Sequence, residues 1–180
     1  MRIIAGTLKG RRLVAPPAGD LRVRPTSDRA REALFSILQR WPSGPFLDLC
    51  AGTGAVGLEA HSRGYAPVTC VEATEPGWSC LVRNANRTGI NTMRVDLRRL
   101  LKNSFQDQAV VFLDPPYDQA EALWSQMAAR LKSWTAPGGV LVFETDRQTG
   151  LELQDGWILA ETREYGAARF HLWTPTRTQG

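Results

Sequence analysis

From residue 46 onward, short apolar runs alternate with segments of helical periodicity, and this alternation is the strongest constraint on what the chain can fold into. The strand-like runs are Phe46 to Cys50, Pro67 to Val71, Thr92 to Val95, Ala109 to Leu113 and Gly139 to Glu144. Helical patterns lie between them, at about Ala55 to Arg63, Pro76 to Arg87, Leu97 to Asn103 and Gln119 to Leu131. Strand and helix in regular succession predict an α/β, Rossmann-like, doubly wound parallel sheet, whose ligands bind beyond the carboxyl ends of the strands. The ending differs. Trp157 to Arg163 and Ala168 to Trp173 flank Gly166 with no helix between them, which predicts an antiparallel hairpin closing the edge of the sheet. The tail from Thr174 to Gly180 is polar and expected to fray.

The first 42 residues read differently, as a basic extension ahead of a catalytic unit at 43–180, the two forming one compact body. Arg2 to Val14 suggests a hairpin turning near Lys9-Gly10 and stopped by Pro16-Pro17. An extended Arg22 to Pro25 leads into a helix. Thr26, Ser27 and Asp28 each offer an N-cap oxygen, and Ala30, Ala33, Leu34, Ile37, Leu38 and Trp41 recur at helical spacing. Trp41-Pro42-Ser43-Gly44-Pro45 ends it.

Charge follows the same division. The net charge of +4 is unremarkable, but residues 1–40 hold nine basic and three acidic side chains, so the remaining residues carry a net −2. Arginines outnumber lysines 19 to 3, and the planar guanidinium fork suits phosphates and base edges. A phosphate-binding arm is expected, against the alternative of a solvated basic face without a partner. With 180 residues and 43% hydrophobic side chains the chain can build a core without disulfides or metals. No apolar run approaches the ~18 residues of a membrane span. Gly6 and Lys9 come too early for a signal peptide, and Cys50, Cys70 and Cys80 form no C-x-x-C pair. A cytoplasmic protein with reduced thiols and no metal site is expected, and nothing demands more than a monomer.

The first central strand runs into Asp48-Leu49-Cys50-Ala51-Gly52-Thr53-Gly54-Ala55-Val56-Gly57, which contains G-x-G-x-x-G. Alone, that loop could cradle the pyrophosphate of a nicotinamide cofactor in an oxidoreductase. Asp48 opposes this reading, because a carboxylate four residues before the first glycine would face a bound diphosphate. S-adenosylmethionine carries ammonium and sulfonium cations instead, for which the same carboxylate is favourable. Glu72 ends the second strand, where a carboxylate can accept ribose hydroxyls, and Asp96 follows the third, within reach of an adenine amine.

The buried run Val110 to Leu113 delivers Asp114-Pro115-Pro116-Tyr117 to the same edge. The two prolines stiffen the turn and lack N–H groups, leaving carbonyl oxygens to accept hydrogen bonds. Asp114 and the Pro115 carbonyl can then hold both hydrogens of an exocyclic amine. This restores density to its nitrogen and aims the lone pair at an electrophilic methyl. Tyr117 offers a ring on which a flipped base can stack.

Together with Arg2 to Gly6, Lys9 to Leu13 and Arg24 to Phe35, these motifs resemble the bacterial 16S rRNA guanine-N2 methyltransferases of the RsmD type, over residues 2 to about 117. Those three N-terminal segments are the specific ones, since the glycine loop and D-P-P-Y are shared with adenine methyltransferases. The resemblance implies a seven-stranded sheet and methyl transfer from S-adenosylmethionine to a guanine of small-subunit rRNA, free or in an assembling subunit. By position, Asp48, Gly52 and Gly54 would hold the methionine end, Glu72 the ribose and Asp96 the adenine. Ala51, Thr53, Ala73, Leu97 and Asp114 would complete that pocket, and Asp114, Pro115, Pro116 and Tyr117 would hold the target base. Arg2, Lys9, Arg11, Arg12, Arg22, Arg24 and Arg29 would contact RNA. Cys50, Glu75 and Leu97 depart from the residues usual in the family. An N6-adenine methyltransferase and a non-catalytic RNA-binding module on the same fold are the alternatives.

Overall fold

The computed structural model describes residues 1–16 and 26–176, so Pro17, the stretch from Arg22 to Pro25 and residues 177–180 lie outside the described residues. In chain order the elements are α1 (Asp28–Leu38), β1 (Phe46–Leu49), α2 (Ala55–Ser62), β2 (Val68–Val71), α3 (Gly77–Ala85), β3 (Asn91–Met93), β4 (Gln108–Leu113), α4 (Ala120–Trp134), β5 (Thr135–Asp146), β6 (Trp157–Tyr165) and β7 (Ala168–Pro175). The strands form one sheet in the order β3-β2-β1-β4-β5-β7-β6. Strands β1 to β5 run parallel, and β7 is antiparallel to both β5 and β6. The expected doubly wound sheet and its closing hairpin are both present.

Successive strand residues point to opposite faces, and each face has its own core. Phe46, Val110, Phe112, Val140, Val142, Phe170 and Leu172 pack with α1 and α2 through Leu34, Leu38, Val56 and Ala60. Leu47, Leu49, Val111, Leu113, Leu141, Phe143 and Trp173 pack with α4 through Leu123, Trp124, Met127 and Leu131. Helix α1 is thus part of the main core. Ser27 is its N-cap, accepting the Ala30 N–H at 3.1 Å. Periodicity did not mark Arg31, which is fully buried. Its guanidinium donates to the carbonyls of Thr26 (3.1 Å) and Arg2 (2.7 Å) and to Asp28 (2.8 Å), tying the helix start to the N-terminus.

Three expectations are corrected. Thr174 and Pro175, expected in a fraying tail, are the last residues of β7, paired with Ile158 and Trp157. The expected helix from Leu97 to Asn103 is only a 3-10 turn, Leu97–Arg99. The carbonyls a longer helix would use internally are taken by α4. Arg130 donates to those of Arg98 and Leu100, and the Trp134 indole to those of Leu101 and Lys102. The N-terminal hairpin is a ribbon with a single bridge, Arg2 to Arg12, rather than two strands. Three backbone bonds cross it, from the N–H groups of Ile3, Gly10 and Leu13 to the carbonyls of Arg11, Ile3 and Met1, and side chains of α2 bind the chain beyond this short pairing. Glu59 accepts the N–H groups of Ile4 (2.7 Å) and Ala5 (3.0 Å), while the Ser62 hydroxyl accepts that of Leu8 and donates to the Ala5 carbonyl. Ile3 and Leu13 bury beside Ala55 and Leu58. No helix among the described residues is long and apolar enough to cross a membrane.

Candidate active site

A cleft of about 540 Å³ opens beyond the carboxyl ends of β1, β2 and β4, within the roughly 300–1,000 Å³ of small-molecule sites. The sheet order puts it there, because β1 leads outward to β2 and β4 on opposite sides, the crossover at which open α/β sheets bind ligands. Its lining includes Asp48, Ala51, Gly52, Thr53, Glu72, Ala73, Asp96, Leu97 and all four residues from Asp114 to Tyr117. Residues far apart in the sequence therefore share one cavity. Gly54 is not in the lining: it is the N-cap of α2, at φ +78°, with the Leu81 side chain where a Cβ would project. Thr26, Thr74, Arg98, Asp118 and Gln119 also line the cleft. None of the five is among the expected site residues, although Thr26 lies in the Arg24 to Phe35 segment and Arg98, Asp118 and Gln119 flank expected site residues in sequence.

Asp48 lies at the floor, 1% exposed, and accepts the Gly57 N–H at 2.8 Å. Burial, with repulsion from Asp114 and Glu72, pushes its carboxyl up to about 8, against the lowering effect of the Gly57 hydrogen bond. Around neutral pH the group is therefore largely protonated in the ligand-free cleft, and a cation placed beside it would draw it into the ionised form. Gly57 permits this geometry. A Cβ there would overlap the Cys70 sulfur and stand 3.2 Å from Oδ2 of Asp48. Gly57→Ala is accordingly expected to destabilise the protein by about 1–3 kcal/mol, seen as a lower midpoint in urea unfolding, and to weaken whatever binds at Asp48.

Glu72, also buried, holds two loops in register. One oxygen accepts the Gly52 N–H at 2.7 Å, and the other accepts both the N–H and the hydroxyl of Thr74, at 2.8 and 2.9 Å. The glycine loop is thereby tied to the end of β2 before any ligand arrives. Asp96 caps the 3-10 turn through the Arg98 N–H (2.9 Å) and pairs with the Arg98 guanidinium (3.3 Å), which also reaches Gln119 at 2.6 Å. Among the described residues, the carboxylates of Asp48, Glu72, Asp96, Asp114 and Asp118 line the cleft, and Arg98 is the one basic side chain in that lining. Such a floor suits a cation and disfavours a diphosphate.

Strand β4 is buried along its last five residues and emerges at Asp114, with Pro115 buried and Pro116 exposed. The Pro116 carbonyl accepts the Gln119 N–H at 2.9 Å, fixing the 3-10 turn Tyr117–Gln119 that leads into α4. Tyr117 is half-buried at the cleft wall.

The basic residues of the extension serve different ends. Arg2, Lys9 and Arg29 line a second, smaller notch with Asp28 and Glu32, and Arg12 is exposed. Arg11 instead donates to the carbonyls of Asn84 (3.1 Å) and Asn86 (3.0 Å) at the end of α3, so it also has a structural role. Arg22 and Arg24 lie outside the described residues.

The family described as conserved hypothetical protein 95 matches residues 1–174. Ribosomal RNA small subunit methyltransferase D of Haemophilus influenzae is 30% identical over 96% of this chain and 93% of its own length. A hypothetical protein of Thermus thermophilus superposes with a TM-score of 0.80 at 31% identity, covering 96% of this chain and 98% of that one. An RNA methyltransferase of Salinibacter ruber, solved with S-adenosyl-L-homocysteine, shares the fold at 16% identity, with a TM-score of 0.62 over 87% of this chain and 97% of its own.

Proposed function

The chain belongs to the conserved hypothetical protein 95 family, which it shares with ribosomal RNA small subunit methyltransferase D, and from this membership we propose that it transfers methyl groups from S-adenosylmethionine to small-subunit rRNA. The finer part of the proposal is that the acceptor is the exocyclic N2 amine of a guanine. The observation that carries methyl transfer to an exocyclic amine is the sharing of one cleft by the carboxylates of β1 and β2 and the D-P-P-Y turn of β4, and the choice of guanine N2 over adenine N6 rests on the resemblance of the N-terminal segments.

The donor set fits the cofactor. Asp48 is available to an ammonium, Glu72 offers a carboxylate at the end of β2 for a ribose, and the acidic floor selects against nicotinamide dinucleotides. When bound, S-adenosylmethionine supplies a methyl on a sulfonium, open to in-line attack. The remaining work belongs to the protein. Asp114 and the Pro115 carbonyl accept the two amine hydrogens and orient the nitrogen lone pair toward the methyl. Tyr117 holds the flipped base by stacking, and Asp114 is the group placed to take the proton released as the new C–N bond forms. The preceding ribbon and α1 supply the basic surface for the phosphates around the target, and a single copy of the chain suffices.

Incubation of the protein with labelled cofactor and unmodified small subunits, followed by mass spectrometry of the nucleosides, is expected to give N2-methylguanosine. N6-methyladenosine would replace the base assignment, and no methylated nucleoside from naked rRNA or from any assembly state would overturn the proposal. Charge reversal at Lys9 or Arg12, both exposed, is expected to lower RNA affinity and to flatten its salt dependence by roughly 0.7–0.9 in log–log slope per lost phosphate contact. Cofactor affinity should not change, and filter binding across a salt series reads the difference.

A further inference from the structure

We propose that Asn84 is a positioning residue for the cofactor, through which the seating of the N-terminal ribbon sets the shape of the glycine loop. The inference rests on the reading of that loop as the cofactor's seat.

Asn84 lies on α3, 3% exposed, and its amide is saturated by contacts to two distant segments. The side-chain oxygen accepts the Val14 N–H at 2.7 Å. The side-chain nitrogen donates to the Val14 carbonyl at 2.9 Å and to the Thr53 carbonyl at 2.9 Å. One amide thus pairs with the end of the ribbon as a neighbouring strand would, while it holds the residue between the first two glycines of G-x-G-x-x-G. Thr53 lines the cleft, and the Gly54 N–H that follows it closes the loop on the Ala51 carbonyl at 2.7 Å. Leu81, one turn earlier on α3, packs against Gly54, so a single helix face contacts both loop residues. Arg11 anchors the same ribbon to the carbonyls of Asn84 and Asn86, which fixes the ribbon against the end of α3.

A buried amide with three partners cannot lose one without leaving a polar group unsatisfied. Displacement of the ribbon therefore either breaks its pairing with Asn84 or turns the amide away from Thr53. Either event releases the carbonyl that keeps the loop in its bound shape. The proposed RNA-contacting segment and the cofactor loop are in this way mechanically linked through one side chain, with no shared ligand.

Two substitutions approach the link from opposite sides. Asn84→Asp keeps an oxygen for the Val14 N–H but turns a second oxygen on the carbonyls of Val14 and Thr53. Val14→Pro removes the ribbon's N–H at an exposed residue and leaves Asn84 itself intact. In calorimetric titration of RNA-free protein with S-adenosylhomocysteine, Kd is expected to rise at least tenfold for Asn84→Asp and about threefold for Val14→Pro. KM for S-adenosylmethionine should rise in parallel, with kcat changing less than twofold. A Kd within twofold of the parent for folded Asn84→Asp overturns the proposal. An unchanged Kd in Val14→Pro overturns it as well, since a purely local role for Asn84 would leave that variant unaffected. Absence of S-adenosylhomocysteine binding by the parent protein would instead overturn the cofactor reading of the cleft, and this inference with it.

Discussion

Asp114→Ala is expected to lower methyl transfer by about 10³-fold while leaving S-adenosylhomocysteine affinity within about threefold. The asymmetry follows from where Asp114 sits. It leaves β4 on the wall of the cleft formed by the Pro-Pro turn, whereas the glycine loop and Glu72 belong to the ends of β1 and β2. An exocyclic amine is a poor nucleophile because its lone pair is delocalised into the ring. Accepting its hydrogens opposes that delocalisation only as the new bond forms, so the interaction is worth more in the transition state than in the ground state. Removal should therefore appear in kcat far more than in KM for either substrate. Asp114→Asn sharpens the test. It preserves volume and one acceptor, but its NH₂ group meets the amine hydrogens, so it should be nearly as inactive as alanine. Single-turnover transfer to unmodified small subunits reads the chemical step directly. Retention of more than a tenth of the parent rate by both variants would remove Asp114 from the chemistry.

The parts of this site that were legible in the sequence are those whose determinants are local. A short buried strand with an acid at or near its carboxyl end can be read at Asp48, within β1, and at Glu72 and Asp114, just after β2 and β4, because strand, turn and charge are contiguous, and parallel strands bring their ends together. What escaped was held by partners remote in sequence. The ribbon reads as a hairpin from Ile3-Ile4 and Leu13-Val14, but two of its N–H groups go to Glu59, more than 50 residues away. The turn after Asp96 has helical periodicity, yet its carbonyls are captured by Arg130 and Trp134. Arg31 looks like one more basic residue of the arm, and only the fold shows its guanidinium buried among carbonyls. Asn84 carries no motif at all. Its importance arises from two chain segments that approach it only after folding.

The floor of the cleft leads to the second large effect, an opposition between stability and binding at Asp48. Its carboxyl is raised from 3.8 to about 8 by burial and by the neighbouring Asp114 and Glu72. The folded, ligand-free protein therefore keeps a proton that the unfolded chain has lost above about pH 4. The contribution of this group to stability is fully present below pH 4 and declines as pH rises toward 8. Asp48→Asn keeps an acceptor for the Gly57 N–H and removes the ionisation. It should melt at nearly the parent temperature at pH 4 and be more stable than the parent at pH 8, by roughly 2 kcal/mol or more. Cofactor binding should respond in the opposite sense. An ammonium paired with Asp48 requires the ionised form, so parent affinity should strengthen between pH 6 and 8 and release up to one proton. It should level off only above about pH 8, as Asp48 becomes ionised without the ligand and the ligand's own amine titrates. Asp48→Asn should abolish that proton release and weaken binding about 100-fold. Calorimetry in buffers of different ionisation enthalpy measures the proton directly, and a parent protein that binds S-adenosylmethionine without releasing one would remove the ammonium from the Asp48 site.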